Sequence, residues 1–435
     1  MFTLPDYLFL PLKYLAIITV SLVFLNLIYF TALSIFGLKK PKRDYKIVED
    51  EKKFLFVVPA HNEEAVIAPT IESLLSQNYN SELYDVVVIA DNCTDSTLDI
   101  IQSYTEVYAF VNNSKPEEPR GKPHAIAKFV DENYWKTYDY IAFIDADNIV
   151  DPNYLKEMNS QSIAYPDLTV IQGYLGIKNV RSSLVASGYA AVYFITNRAV
   201  QAANYCLGWN TAIGGTGFIL DTKYLDEKGW NPRSYTEDFE LQVELSIENK
   251  RSGWNHFAIV HDEKPDTFTA SHHQRLRWAQ GHWFVGITTT WRQICSLFKQ
   301  PTLRGVLSKI KTLFYSYSMI RPVAFLFILC LGIIDIRLFE YLPNFFSLLA
   351  FWLGIEILNF VIIPVVYFLQ EGQEYFNDEE NIFRKIIFFL RLEIAFIYNS
   401  LTYMIAQVIG FFTWFKPQNK WNKTVHKAVF DRNGE

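Results

Sequence analysis

The stretch "YDYIAFIDADNIVDP", residues 138–152, decides how the chain is to be read. Its first half is an apolar run of the kind a buried strand requires, and Asp145 and Asp147 follow directly. Two carboxylates at i and i+2 of a strand lie on one face and repel each other. That is costly unless water solvates both or a cation sits between them.

Working outward, "KFLFVV" (53–58) is expected to be a buried strand ending at Pro59, with a helix in "EEAVIAPTIESLLSQ" (63–77). "YDVVVIADN" (84–92) reads as the next strand, and "TDSTLDIIQSYT" (94–105) as the next helix, with Thr94 or Asp95 as its cap. "YDYIAFIDAD" (138–147) is then a further strand. Alternation of strand and helix implies βαβ units and an α/β domain with a mostly parallel sheet covered on both faces. Such sheets bind ligands at the carboxyl ends of their strands. Three polar clusters fall there: "PAHNEE" (59–64), "DNCTDST" (91–97) and "DADN" (145–148). In that setting hard carboxylate oxygens suit Mg²⁺ or Mn²⁺ shared with phosphate oxygens. A solvated loop remains the plain alternative.

The 435 residues carry a formal charge of −6, which argues against nucleic acid as the main partner. Half the residues are hydrophobic, and they concentrate toward the two ends. The four cysteines have neither metal-ligand spacing nor a secreted disulfide pattern, so a reducing compartment is expected for the middle domain. Residues 14–36 contain no charge and are long enough to span a bilayer. Neither a short apolar core nor a small-residue cleavage site is present, so an uncleaved span is expected. "KKPKR" (39–43) follows at once and places the middle domain in the cytosol. Further spans are expected near 314–334, 345–369 and 388–414, carrying Arg321, Glu356, Arg391 and Glu393. Charges at that depth either face a polar pathway or pair near the interface. Three such spans would put the basic tail "KPQNKWNKTVHK" (416–427) outside, against the positive-inside rule. A surface helix plus a re-entrant hairpin over 382–414 would keep it inside.

"VVPAHNEE", "DNCTD", "DAD", "TED" (236–238) and "QRLRW" (274–278) occur in that order over roughly residues 53–290. With them the chain resembles membrane-embedded family 2 glycosyltransferases of the GT-A fold. The similarity is to processive synthases of cellulose, hyaluronan, chitin-like polymers and poly-N-acetylglucosamine. The resemblance implies an N-terminal transmembrane segment and basic flank (1–45), a Rossmann-like GT-A domain (46–295), an interfacial helix region (296–313), transmembrane helices (314–415) and a basic tail (416–435).

The resemblance also implies roles. Glu63 and Asp91 match residues that hold the nucleotide's base and ribose. Asp145 and Asp147 match the D-x-D pair, with Asp147 the direct ligand of Mg²⁺ or Mn²⁺. Lys122, in "PRGKPHA" (119–125), matches a phosphate contact, with a solvated turn as the alternative. Asp238 matches the general base. Glu237, Gln274, Arg277 and Trp278 match groups near the diphosphate and acceptor. The small-residue loop "NTAIGGTGFIL" (210–220) is similar to one lying beside the acceptor, and its glycines would let backbone approach a sugar closely. Taken singly, Asp238 could instead cap a helix starting at Phe239, Trp278 could be interfacial, and Arg277 could lie beside headgroups. His256 and His261 are expected to be structural. One departure stands out: many synthases have a second acid after the first, where this chain has Asn92.

The expected activity is inverting, metal-dependent transfer from a UDP-sugar to a growing polysaccharide at a multi-pass plasma membrane protein, coupled to export. The partners would be the donor, the polysaccharide or a lipid-linked acceptor, the bilayer and an accessory subunit. Single addition to a lipid acceptor is the alternative. A non-catalytic scaffold is opposed by the intact set Asp91, Asp145, Asp147, Asp238 and Arg277.

Overall fold

The computed structural model describes residues 5–115, 117–300, 302–339, 345–373, 375 and 381–416. Most of the basic tail lies outside the described residues. An eight-stranded mixed sheet forms the centre, in the order β3-β2-β1-β4-β7-β6-β8-β5. The strands are β1 (Phe54–Ala60), β2 (Tyr84–Asp91), β3 (Val107–Asn112), β4 (Tyr140–Phe143), β5 (Ile149–Val150), β6 (Leu168–Ile177), β7 (Phe218–Asp221) and β8 (Arg251–Asp262). β1 pairs in parallel with β2 and β4, as β2 does with β3 and β6 with β8. β7 and β5 run antiparallel to their neighbours.

Alternate residues of β1 enter two cores, which explains the unbroken apolar run. Phe54, Phe56 and Val58 pack with Ile67, Ile71 and Leu74 on one face. Leu55 and Val57 pack with Ala125, Ile126 and Phe129 on the other. The expected strand end at Pro59 is corrected: β1 continues to Ala60. β4 pairs only with Phe54–Val57, so the missing Pro59 N–H faces a side with no strand beside it and costs no ladder bond.

A second correction answers the opening puzzle. β4 ends at Phe143, so Asp145 and Asp147 lie beyond the strand, in a turn closed by the Asn148 amide donating to Asp145 O at 3.1 Å. Their side chains therefore do not share a strand face. The expected cap at Thr94 or Asp95 is corrected: the helix Thr97–Gln102 has Ser96 at its N-cap with no side-chain cap bond, while Asp95, one residue earlier, accepts from the Thr97 amide at 3.0 Å. His261 is buried on β8 against β5, and among the described residues no group of three or more His, Cys, Asp or Glu is placed to hold a metal ion.

Among the described residues, three helices are long and apolar enough to cross a membrane: Asp6–Phe36, Ala350–Glu371 and Ile382–Thr413. The first begins eight residues before the expected 14–36 run. The expected span at 314–334 is instead broken: Leu303–Ser316 and Ile320–Ile334 meet at 56°. Arg391 is bonded to residues outside the long apolar helices. Its guanidinium donates to Ser187 Oγ at 3.0 Å and to Arg181 O at 2.9 Å, on the sheet domain.

Candidate active site

β1 lies where strand order reverses, with β2 on one side and β4 on the other, and a crevice opens at such a point beyond the carboxyl ends. There the chain forms a cavity of about 900 Å³. Glu63, Asp91, Lys122, Asp145, Asp147, Glu237, Asp238, Gln274, Arg277 and Trp278 all line it. Residues from well-separated motifs thus meet in one space.

On the β2 side, Asp91 is buried and its Oδ1 accepts from Asn92 Nδ2 and Asn112 Nδ2, each at 2.7 Å. Asn92 stands at φ +49°, a conformation asparagine tolerates better than most residues. Its Oδ1 accepts from the Ser114 amide at 2.9 Å. The departure at this position has a physical reason: the amide donates to the Asp91 carboxylate and accepts from backbone at once, whereas an ionised second acid could only accept. His61 Nδ1 lies 2.6 Å from Asp91 O and closes the same corner.

Lys122 is not a solvated turn residue. It opens the helix Lys122–Asp131, and its Nζ lies 2.6 Å from Asp145 Oδ1, 2.6 Å from Gly215 O and 3.5 Å from Glu237 Oε1. Burial works against its charge, but the carboxylates of Asp145, Glu237 and Asp238 outweigh that, so its pKa rises. Asp147 is buried, and its pKa is pushed well up by desolvation and then by the neighbouring Asp262 and Asp145 carboxylates. The donor set fits a divalent cation of the hard kind: two carboxylates on one turn, one of them crowded by acids, facing a cavity with room for phosphate oxygens.

Asp238 lies in the first turn of the helix Glu237–Ile247, not ahead of it, and accepts from the Phe239 amide at 2.7 Å. Burial first, then Glu237, raise its pKa to about 7, against the lowering effect of the Phe239 amide and Lys122. Opposite it stands Gly215 at φ +79°, where a Cβ would meet Asp238 Oδ2 at 3.2 Å.

The third wall comes from the helix Phe268–Leu297. Gln274 accepts from Tyr189 Oη at 2.9 Å. The Arg277 guanidinium has its pKa lowered by burial, while Glu237, Asp145 and Asp238 favour its charge. Trp278 meets Tyr189 edge to face, with ring centroids 6.2 Å apart, and the Lys264 ammonium lies 5.8 Å from the Trp278 ring. His282 stacks on Phe239 at 4.2 Å, and burial lowers its pKa to about 4, so it is neutral.

Some lining residues were not singled out from the sequence. Asp262 ends β8 and Glu263 and Lys264 follow it, with buried ion pairs Lys264–Asp262 and Lys178–Glu263, the latter at 2.9 Å. "HDEK" after an apolar strand is the same signal that marked the other clusters. Tyr193, Asn197 and Gln201 line the cavity from a continuous helical stretch beginning at Leu184, and no local motif announces them. Phe30, Met319, Arg321 and Tyr403 extend the cavity onto the apolar helices.

A family profile described as "Glycosyltransferase like family 2" matches residues 52–281. The chain is 23% identical over 397 residues to the probable glycosyltransferase YdaM of Bacillus subtilis, covering 86% of each. It is 26% identical over 257 residues to the poly-β-1,6-N-acetyl-D-glucosamine synthase of Staphylococcus aureus, covering 58% of this chain and 60% of that one. Among solved structures, the mannosyltransferase PcManGT of Pyrobaculum calidifontis, in complex with GDP-Man and Mn²⁺, is similar in fold. It aligns with TM-score 0.58 and 16% identity over 93% of this chain and 100% of that one. The fold is GT-A, and the chain belongs to the family 2 glycosyltransferases.

Proposed function

We propose that the protein transfers a sugar from a UDP-sugar to a growing polysaccharide at the cytosolic face of the plasma membrane, with inversion and metal dependence, coupled to export. The observation that carries this reading is the meeting of Asp145, Asp147, Asp238, Arg277 and Trp278 in one cavity that continues onto apolar helices. Similarity to a poly-N-acetylglucosamine synthase supports an N-acetylhexosamine donor. The GDP-Man complex of the similar mannosyltransferase is the reason to include GDP-sugars in any screen. "KKPKR" at the end of the first apolar helix supports a cytosolic catalytic domain.

In this reading Glu63 and Asp91 hold base and ribose. Asp145 and Asp147 hold Mg²⁺ or Mn²⁺, which when bound neutralises charge on the leaving diphosphate as a Lewis acid. Arg277 contributes a planar, permanently charged guanidinium toward the same oxygens, and Lys122 adds a second cation. Asp238, held partly protonated near neutrality, takes the proton of the acceptor hydroxyl as that oxygen attacks the anomeric carbon. A single base and direct in-line attack give inversion. Trp278 supplies an aromatic face for the acceptor ring, with Gln274 and Glu237 beside it.

Single addition to a lipid-linked acceptor is the second reading. It is favoured by the small number of long apolar helices, since only three are found among the described residues. UDP release by protein in lipid, with Mn²⁺ or Mg²⁺ and a donor panel, followed by sizing of the product, separates the two. A long polymer supports the synthase; a product one sugar larger than a lipid acceptor supports single addition. No release with any donor would overturn both.

A further inference from the structure

A second cavity, of about 330 Å³, shares no lining residue with the catalytic one and lies against the start of the helix Leu303–Ser316. Among the described residues that line it there is no carboxylate, while Arg304 and Lys309 both do. Lys250 and Arg251 line it too, but their charges are met by Glu227 and Asp167. Lys309 is only 4% exposed. Its Nζ donates to Ile247 O at 3.2 Å and to Ser296 O at 3.0 Å, in the last turns of Glu237–Ile247 and Phe268–Leu297. Those carbonyls take two of its three N–H groups and cancel no net charge. Arg304 Nε donates to Gly208 O at 3.1 Å. Gly208 makes room for it, since a Cβ there would collide with Arg304 Nη2. Among the described residues neither cation has a carboxylate partner. Burying a cation without a counter-charge is costly. The helix also opens here: Thr302 accepts from the Gly305 amide at 3.2 Å, and both residues line the cavity, so the positive end of the helix dipole adds to the two cations.

The same helix holds the start of the loop beside Asp238. Asn210 lines the second cavity; its amide donates to Ser308 Oγ at 3.0 Å, and its carbonyl accepts from buried Lys311 Nζ at 2.6 Å. Further along that loop Gly215 stands against Asp238. Ser246 lines the cavity from the far end of the helix whose first turn carries Asp238. The cavity thus touches both elements that close on that carboxyl group. In the chain, the exposed Phe298 and Leu303 flank the lining residues Gln300 and Thr302.

We propose that this second cavity binds a phosphate-bearing anion, and that its occupation steadies the loop of residues 210–217 against Asp238. The chemistry that would recognise a phosphate is assembled there: a planar guanidinium able to bond two oxygens, an ammonium with one N–H to spare, and the positive end of a helix. The same chemistry serves a free phosphate ion and a lipid headgroup, whose chains would lie over Phe298 and Leu303. Binding is independent of what the catalytic cavity does; the effect on turnover rests on the transferase reading above.

The test uses the full chain in detergent and in phosphatidylcholine vesicles. Inorganic phosphate is titrated against chloride at equal ionic strength, with binding read from the unfolding temperature. Phosphatidylglycerol is mixed into the vesicles, and lipid retained after extraction is read by native mass spectrometry. Two variants are compared: Arg304→Gln, at an exposed position, and Arg277→Gln, which removes a cation from the catalytic cavity instead. Saturable binding of either probe is expected, weaker by about tenfold or more in Arg304→Gln and unchanged in Arg277→Gln. Phosphate binding supports a free ion as the occupant, and retained phosphatidylglycerol supports a headgroup. Binding of neither probe, or binding that Arg304→Gln leaves as it was, would overturn the proposal. With the bound probe present, UDP release at saturating donor and Mg²⁺ is expected to rise about fivefold in the unaltered protein and not in Arg304→Gln. An unchanged rate would overturn the coupling to Asp238. Binding intact with no UDP release under any condition would uphold the site and defeat the transferase reading.

Discussion

Asp238 concentrates the chemistry of the site in one carboxyl group. Burial beside Glu237 raises its pKa to about 7, so it loses its proton as pH rises through neutrality. A base must be ionised, so kcat/KM is expected to rise with pH and level off above about 7, and a pH–rate profile checks this. Asp238→Asn is expected to lower turnover by about 10²–10⁴-fold while nucleotide binding, measured by calorimetry, survives. Asp147→Asn should remove activity together with its response to added Mn²⁺; unchanged metal-dependent turnover would contradict the D-x-D role. Asn92 is a subtler case. Asn92→Asp loses the donor to Asp91 and sets two carboxylates side by side, a loss of about 1–3 kcal/mol in the geometry of that corner. The expected outcome is nucleotide affinity weaker by tenfold or more, read from a UDP titration.

At the scale of elements, the loop of residues 210–217 and the helix Glu237–Ile247 face each other with no room between them. Gly215 needs its positive φ, and a side chain there would press on Asp238. Gly215→Ala is expected to cost about 1–2 kcal/mol of backbone strain and to lower kcat more than nucleotide affinity, which steady-state kinetics with a binding control would separate. Helix contacts follow the same rule. Gly188 and Gly410 sit where a Cβ would meet Ala395 O at 2.8 Å and Ala279 Cβ at 2.7 Å, so two catalytic-domain helices approach Ile382–Thr413 at glycine. Larger residues at either point would push that helix off the domain and displace Tyr403 and Gln407 from the cavity wall.

At the scale of the whole molecule, Arg198 joins catalytic and apolar parts. It is fully buried, paired with Glu371 and bonded to two backbone carbonyls. Arg198→Ala would leave Glu371 buried without its cation, and is expected to destabilise the protein by about 3–5 kcal/mol, seen as a lower unfolding temperature in detergent. Sequence alone carried much of this protein's description. Apolar runs ending in polar clusters marked β1, β2 and β4, because a strand buried on both faces must be apolar and its carboxyl end must not. The ordered motifs named the residues lining the cavity, because their chemistry demands those side chains. Local pattern could not determine where strand β4 stops, what Asn92 does, or that Lys178, Asp262 and Lys264 stand beneath Asp147, since each depends on partners distant in the chain. Nor could hydropathy show that Leu303–Ser316 and Ile320–Ile334 meet at 56°, since an apolar run reads the same whether it stays straight or bends, and only the tertiary structure decides the angle.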